Sequence, residues 1–468
     1  MTAVLDEKHL TAALKASLDA QERENAENYL NAVTNIIGYT PALLKIVVDE
    51  NVECPVRQAA IILLKNLISA HWNDDHQNTN EDKKGEKQQQ QGALIHEQDR
   101  HLIRQSIVES IINCPEVIRL QLAVCVSRII KNDFPHRWPQ VVEKIVQNLN
   151  VKSCQNWLGA LVVLYQLVKA YEFKKPEERE VLVEAMKHIM PLLYTHMNSL
   201  MQDQSQEACY LQKIILKIFY ALVQFSLNLN LLSIEQFAQW MHIIHTVVER
   251  PVPAETLNVD EEDRPNLIFW KCKKWASRTM SRIFERYGNP GQVAAEYNQF
   301  AENYLKNFVA PALRVVLKVL EDYRSKIYVS PPVLYQILNY LQSAVAHSFS
   351  WKLLKAHMLV SLQFIDFFWC KHIITEIVFP LSCHNDADQE LWDSDPQEYV
   401  RVKYDLLSEL IDPASAAVAL LSESVKRKDV LNKTIQFLGG VLTAPQSTGR
   451  QLDGALHMLG TLAPNLLK

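Results

Sequence analysis

The apolar residues of this chain recur with the period of an α-helix, and in many segments they cover more than one face. The stretch PVRQAAIILLKNLI, from Pro55 to Ile68, is an example. On a helical wheel of about 100° per residue, the polar residues of this stretch gather on one side, together with Ser69, which follows it. They are Arg57, Gln58, Lys65, Asn66 and Ser69. A surface helix buries only a single stripe. We therefore predict a helix that is covered from several directions and leaves a thin polar edge.

Segments of the same width and apolar character return along the chain: PEVIRLQLAVCVSRII from Pro115, WLGALVVLYQLVKAY from Trp157, LQKIILKIFYALVQF from Leu211 and VLYQILNYLQSAVAH from Val333. Partner helices lie between them, and the pairs recur at roughly 40–60 residues, near the ~40–47-residue period of HEAT and armadillo repeats. The predicted fold is all-α, a HEAT-repeat superhelical solenoid (α-α superhelix). An irregular globular helical domain is the alternative.

Composition narrows the class of protein. The 468 residues are 48% hydrophobic and 22% charged, with only 11 Gly and 19 Pro, which is typical of a soluble helical protein with a large core. A net charge of −5 lacks the basic footprint of direct nucleic-acid binding but is compatible with basic partners. No segment reaches the ~18 apolar residues of a membrane span, so we predict a soluble nuclear or cytosolic protein without a membrane partner.

The sequence offers little chemistry. Eight cysteines without a C-x-x-C pair indicate reduced core thiols, and the phosphate-loop, H-E-x-x-H and G-x-S-x-G motifs are absent. His242 and His245, three residues apart, are more typical of partly buried helix residues than of zinc ligands. The acidic stretch Cys383 to Asp395 lacks EF-hand spacing and is predicted to be a solvated loop. We predict no catalytic, cofactor or metal site, and no enzyme.

Long segments, in order along the chain, resemble the importin-β superfamily of nuclear transport receptors. The first are AENYL from Ala26, RQAAIILLKN from Arg57 and DFPHRWPQVVEKI from Asp133. Others look like the importin seven and importin eight branch: WLGALVVLYQLVKAYEFKKPEER from Trp157, WKCKKWASR from Trp270, FERYGNPG from Phe284 and DGALHMLG from Asp453. The resemblance assigns residues 1–150 to the N-terminal, Ran-binding HEAT repeats and residues 151–468 to repeats that continue them.

The resemblance implies a function. Members of the superfamily bind cargo in the cytoplasm, pass the nuclear pore and release cargo when Ran-GTP binds. The same work here implies a nuclear import receptor that shuttles between cytoplasm and nucleus, without a cofactor. Its implied partners are Ran-GTP, phenylalanine-glycine repeats of nucleoporins, and basic cargo such as ribosomal proteins and linker histones, with importin-β as a further candidate. A non-transport HEAT-repeat scaffold for cytosolic protein complexes is the alternative.

The resemblance also implies a place for Ran, on the second helices of the first repeats. Lys65 and Asn66 are the leading candidates, because a long cation and an amide on one exposed edge can reach carbonyls and acids of a GTPase. Arg57 is either a further contact or a ladder residue between stacked repeats. Arg100 and Arg104, one turn apart on the next helix, either extend this surface or form a solvated face.

An acidic loop is the second implied Ran contact. Four consecutive acids follow Val259, namely Asp260, Glu261, Glu262 and Asp263, ahead of the basic run KCKKW from Lys271. They resemble the acidic loop by which importin-β-type receptors touch a basic patch of Ran. A solvated first turn of the following helix is the structural alternative, since acids complement a helix N-terminus.

Two stretches and the chain length depart from the repeat pattern. Residues 73–92 are polar and end in a glutamine run, which predicts a disordered insertion. Residues 359–371, LVSLQFIDFFWCK, are extra relative to the family's spacing and are either a genuine insertion or an unspliced segment. Family members are about twice this length, so we expect a chain truncated at its C-terminus, without a capping repeat. Cargo contacts and nucleoporin grooves stay unassigned.

Overall fold

The computed structural model describes residues 5–73, 95–358, 373–404 and 412–466. Within these ranges the chain forms α-helices joined by short loops, and it forms no β-strand, so the all-α prediction is confirmed. The predicted insertion at 359–371, and that at 73–92 except for Asn73, lie outside the described residues. No helix in the described ranges is both long enough and apolar enough to cross a membrane.

The chain divides into two compact units, Met1–Gln202 and Asp203–Lys468. The described helices of the first unit are α1 (Glu7–Ala16), α2 (Arg23–Val33), α3 (Tyr39–Val48), α4 (Cys54–His71), α5 (Glu97–Asn113), α6 (Glu116–Asp133), α7 (Gln140–Asn150), α8 (Cys154–Tyr171) and α9 (Pro176–Leu200).

The second unit continues with α10 (Gln206–Val223), α11 (Ile234–Glu249), α12 (Ile268–Tyr287), α13 (Asn298–Asn307), α14 (Val309–Arg324), α15 (Pro331–Ala346) and α16 (Ser348–Met358). After a π-helical turn at Ile373–Val378 come α17 (Phe379–Ser382), α18 (Asp386–Ser394), α19 (Pro396–Tyr404), α20 (Pro413–Ser424), α21 (Lys428–Thr443) and α22 (Gly449–Leu466). Short 3₁₀ turns lie at Ala254–Asn258, Arg264–Asn266 and Ala295–Tyr297.

Helices of the first unit pair along the chain and stack in two layers. In one layer α4 packs beside α6 and α6 beside α8, and in the other α3 packs beside α5, α5 beside α7 and α7 beside α9. Because α4 contacts α1, α3 and α6, its apolar residues are covered from several sides, as the width of its apolar surface predicts. Val56, Ala60, Ile61, Leu64 and Ile68 form its buried part.

The second unit repeats this arrangement. α10 packs beside α12, α12 beside α15 and α15 beside α20, while α11 and α14 pack together on the other side of this row. Helix starts follow local sequence: Ser205 accepts a hydrogen bond from the Ala208 amide at 3.2 Å, and Ser233 and Gln236 form a capping box at the start of α11. Hydroxyl caps therefore fix where both helices begin.

Two glycines of the first unit occupy positions that other residues would not fit, one because of its backbone conformation and one because of a close helix contact. Gly38 adopts a φ of 94°, in the left-handed region that glycine tolerates, and its amide donates to the buried Asp99 carboxylate at 2.8 Å. A Cβ on Gly159 of α8 would lie 2.3 Å from Ile112 Cγ1 of α5. The close approach of these two helices therefore requires glycine at that position.

Candidate functional site

The C-terminal part of the polar edge of α4, from Lys65 to Ser69, reaches the surface, whereas Arg57 near the start of the helix is buried. Asn66 is exposed, and it shares one exposed stripe with Ile62 and Ser69, at spacings of four and three residues. Lys65 is half-buried, and its Nζ donates to Oε1 of Gln121 on α6 at 3.1 Å. The lysine is therefore held beside α6, whereas the asparagine amide is presented to solvent.

α6 adds apolar residues to this edge that the sequence analysis does not single out. Val117, Leu120 and Val124 are exposed on α6, and Leu120 leaves 57% of its surface accessible. Ile62 of α4 is 47% exposed. Exposed apolar residues grouped on adjacent helices mark a surface for a partner protein. We call this surface, made of Ile62, Lys65, Asn66, Val117, Leu120 and Val124, the α4–α6 surface.

Arg57 does not belong to that surface. Only 7% of the residue is exposed, its Nε donates to the Val47 carbonyl at 2.8 Å, and its Nη2 lies 3.9 Å from Sγ of Cys114. It thus joins the last turn of α3 to the end of α5. Of the two roles predicted for Arg57, the structure supports the ladder residue between stacked helices.

Arg100 and Arg104 are also buried, which corrects the expectation that they extend a contact surface. Arg104 Nη1 donates to Oδ2 of Asp133 at 2.6 Å, its Nη2 pairs with Glu97, and Trp72 Nε1 donates to the same Asp133 oxygen at 3.2 Å. The Arg100 guanidinium lies 5.8 Å from the ring centre of Trp72. Both side chains point into the packing between α4, α5 and α6, so a partner cannot reach them.

The Arg104 side chain stays protonated although it is buried. Desolvation lowers its pKa, but the hydrogen bonds and charges of Glu97 and Asp133 outweigh that effect, and the pKa is raised from its usual value. Since Asp133 is only 2% exposed, the pair is a buried ion pair that also binds the Trp72 indole. We call Trp72, Glu97, Arg100, Arg104 and Asp133 the buried arginine network.

The acidic loop belongs to the second unit and is exposed. Asp260, Glu261, Glu262 and Asp263 all lie at the surface. The loop is fixed from behind by Arg264, whose Nε donates to the Val259 carbonyl at 2.8 Å and whose Nη2 donates to the Leu257 carbonyl at 3.0 Å. A 3₁₀ turn separates the run from α12, so the acids are not in the first turn of that helix.

The histidine pair and the acidic stretch considered as metal ligands have structural roles. Burial lowers the pKa of His245 to about 4, with the nearby His242 charge adding to the effect, which keeps His245 neutral inside the unit. The stretch predicted as a solvated loop is instead mostly α18, because Asn385 and Asp388 form a capping box at its start. In the part of the chain that the structure describes, no three His, Cys, Asp or Glu side chains are grouped to hold a metal.

Comparison with known proteins shows which families and proteins the chain is similar to. The importin-beta N-terminal domain family matches residues 26–113, and the exportin 1-like protein family matches residues 115–255. Importin-8 of Homo sapiens is 45% identical over 469 residues, which cover 99% of this chain and 43% of that protein. Over nearly its whole length, the chain is therefore similar to proteins of the importin-β superfamily. It resembles the importin seven and importin eight branch, as the sequence analysis predicts.

A plant relative matches nearly the whole chain as well, and again over less than half of its own length. The importin beta-like SAD2 homolog of Arabidopsis thaliana is 31% identical over 467 residues, covering 98% of this chain and 43% of that protein. The chain thus spans less than half the length of the curated relatives it matches. The importin-beta N-terminal match contains α3, α4 and α5, and neither domain match reaches the acidic loop.

Solved structures of this superfamily confirm the predicted HEAT-repeat solenoid fold. The exportin Cse1 in its cargo-free, cytoplasmic state superposes with a TM-score of 0.71 at 17% identity, over 98% of this chain and 47% of that one. Kap95p, whose binding induces the switch loops of RanGDP to adopt the GTP-bound conformation, superposes with a TM-score of 0.52 at 13% identity. The match covers 98% of this chain and 45% of that one. The Kap95:Nup1 complex superposes with a TM-score of 0.56 at 14% identity, over 98% of this chain and 46% of that one.

Proposed function

We propose that this chain is the Ran-binding part of a nuclear import receptor that shuttles between cytoplasm and nucleus. In this proposal it binds phenylalanine-glycine nucleoporins and basic cargo such as ribosomal proteins and linker histones, alone or with importin-β, and releases cargo when Ran-GTP binds. No step requires a catalytic residue or a cofactor. The relatives named Importin-8 and the Kap95p structures that involve RanGDP and Nup1 support the proposal.

The α4–α6 surface is the observation that carries it. Asn66 and Lys65 place an amide and an ammonium group beside exposed Ile62, Leu120 and Val124. Apolar anchors with a few polar groups are the usual make-up of a protein-binding surface, since the anchors supply affinity and the polar groups fix orientation. This surface begins in the segment matched by the importin-beta N-terminal domain and continues onto α6.

The acidic loop is proposed as the second Ran contact. Four exposed carboxylates attract a basic surface over several ångströms, and such attraction raises the association rate more than the affinity. Arg264 holds the loop base, so the carboxylates are presented without a large ordering cost on binding. Changing all four acids to their amides should therefore slow association with Ran-GTP and remove most of its salt dependence.

Ran-binding measurements test the proposal. Ran loaded with a non-hydrolysable GTP analogue or with GDP is passed over the immobilised chain. We expect strong preference for the GTP form, and Lys65→Ala with Asn66→Ala should weaken that binding by about tenfold, as the loss of two polar interface contacts does. Lys187→Ala with Asn198→Ala is the matched control, because both residues are exposed on α9. A labelled linker histone, bound beforehand, should leave when Ran-GTP is added.

A cytosolic scaffold would give a different result. It would bind both nucleotide states equally or neither, and added Ran-GTP would leave bound histone in place. Either outcome rejects the receptor. Equal loss of binding in the α4–α6 variant and in the α9 control would reject the proposed surface, because the effect would then not depend on where the two residues lie.

A further inference from the structure

A groove of about 640 Å³ lies in the second unit, lined by side chains of α10, α12, α15 and α20. Its α15 wall carries Gln336, Asn339 and Gln342, and its α12 wall carries Arg278 and Arg282. The site lies apart from both proposed Ran contacts in sequence, since most of its residues follow the acidic loop. All of its lining residues are among those that the structure describes.

The α15 wall of the groove carries three side-chain amide groups. Across the described ranges, the side chains of Gln336, Asn339 and Gln342 form no hydrogen bond with another protein group, although Gln336 is only 9% exposed. A primary amide both donates and accepts, as a backbone peptide group does. A row of unengaged amides on one helix therefore suits an extended peptide, whose N–H and C=O groups need partners along its whole length.

Charge is unbalanced at the opposite wall. The groove's two acids are engaged locally: Glu285 pairs with Arg282 at 2.9 Å, and Glu423 pairs with Lys426 at 2.6 Å. Arg278 donates from Nε to the Tyr220 hydroxyl at 3.1 Å and lies 5.2 Å from the ring centre of Trp275. These contacts hold the guanidinium without neutralising it.

Two lysines of α12, which lie outside the groove's lining but on the turns before Arg278, add to this excess. Lys271 and Lys274 stand on the same side of the helix as Arg278, and no carboxylate of the described chain lies within ion-pair distance of any of the three. Burial, then the charges of Arg278 and Lys271, lower the pKa of Lys274. Cations held together in this way repel one another, and an anion bound between them would relieve that repulsion.

We propose that this groove binds an extended acidic peptide segment of a partner protein. The carboxylates of the segment pair with Arg278 and Lys274, and its backbone hydrogen-bonds with the amides of Asn339 and Gln342. Neighbouring helices lie ~8–10 Å apart, so the span from α12 to α20 accommodates about six extended residues at ~3.3 Å each. This partner class is distinct from basic cargo, and the inference does not depend on Ran binding.

The structure favours a peptide over a nucleic acid. Of the groove's aromatic residues Tyr220 and Phe284 are buried, and only Tyr335 is partly exposed. One ring does not form the row of aromatic side chains on which successive bases of a single strand stack. The net charge of −5 also repels a polyanion at long range, whereas a short acidic segment needs only local attraction.

Peptide binding to the full 468-residue chain tests the proposal. The probe is a fluorescein-labelled peptide of alternating Glu and Thr, about 12 residues long so that it exceeds the groove. Comparison probes are the same peptide with Gln for Glu and an oligothymidylate of equal length, with anisotropy read at low and physiological salt. We expect the acidic peptide to bind more weakly as salt rises, the Gln peptide to be at least about tenfold weaker, and the oligothymidylate to be weaker than the acidic peptide.

Paired variants locate the binding. Lys274→Gln with Arg278→Gln should weaken the acidic peptide about tenfold or more and flatten its salt dependence. Asn339→Ala with Gln342→Ala should weaken it by about threefold to tenfold with the salt dependence intact, because neutral hydrogen bonds are lost. Lys306→Gln with Lys433→Gln removes the same charge from exposed sites on α13 and α21 and should leave binding unchanged. Thermal melting verifies that each variant is folded.

Three results would overturn the inference. The acidic peptide could fail to bind the parent chain, or the α13 and α21 control could lose as much binding as the α12 pair, which would reveal a non-specific charge effect. Oligothymidylate could bind as tightly as the peptide and be lost with the same α12 pair, which would make the groove a nucleic-acid surface. If the α12 pair does not fold, the amide pair still decides, since unchanged peptide affinity there would reject the groove.

Discussion

Arginine is used in opposite ways in the two units. In the first unit Arg104 lies inside, with carboxylates of Asp133 and Glu97 against its guanidinium. In the second unit Arg278 lines an open groove, held by the Tyr220 hydroxyl and aromatic rings, without a carboxylate of the described chain in pairing distance. The same residue type therefore stabilises packing in one place and leaves unbalanced charge at a surface in the other.

The acceptor on the neighbouring helix makes this difference. Asp133 stands at the end of α6, where it meets α4 and α5, so a buried guanidinium gains both a counter-charge and hydrogen bonds. α15 instead presents amides towards α12, and these cannot neutralise a cation. Comparison of variants in the two regions should therefore show large effects on stability in the first and large effects on binding in the second.

Asp133→Ala should give the largest effect on stability. Removing this carboxylate leaves Arg104 charged and buried, and the loss of one partner of a buried pair costs about 3–5 kcal/mol. Thermal and urea unfolding of the chain would measure it, as an early transition of the first unit. Asp429→Ala is the control, because its pair with Lys355 is exposed and such pairs contribute about 0–1 kcal/mol. Equal shifts in both variants would contradict the buried arginine network.

Arg57→Ala should give an intermediate effect. It removes the strong donor to the buried Val47 carbonyl and leaves only the weak Cys114 thiol at 3.8 Å, and a buried acceptor that loses its partner costs about 1–3 kcal/mol. The same urea titration would detect it, with exposed Arg128→Ala of α6 as the matched control. Preferential loss of Ran-GTP binding with unchanged stability would instead show that Arg57 contacts the partner directly.

Arg278→Gln should change stability least. The variant loses a hydrogen bond to Tyr220 but relieves repulsion with Lys274, so we expect a change within about 0.5 kcal/mol. Its melting temperature should match that of the parent chain while its affinity for the acidic peptide falls. A drop as large as that of Asp133→Ala would place Arg278 among the packing residues and remove the contrast between the units.

Local patterns predicted the helices because burial needs an apolar face whatever its neighbour is. The width of the apolar surface on α4 predicted cover from several sides, and α1, α3 and α6 supply it. Lys65 and Asn66 were placed correctly at an edge. The prediction of a loop from Cys383 to Asp395 is wrong, because the capping box of Asn385 and Asp388 starts a helix in spite of the many acids.

By itself, the sequence determined the all-α class, the two-helix repeat and the similarity to the importin-β superfamily, because each depends on residues close together in the chain or on many segments in order. Only the tertiary structure decided which polar residues are buried and which exposed apolar residues meet. Arg57 and Arg104 find their acceptors on other helices, while the exposed Leu120 belongs to the helix that packs against α4 and precedes Gln121, which binds Lys65. A side chain's role depends on what stands across from it, and that partner lies far away in the sequence.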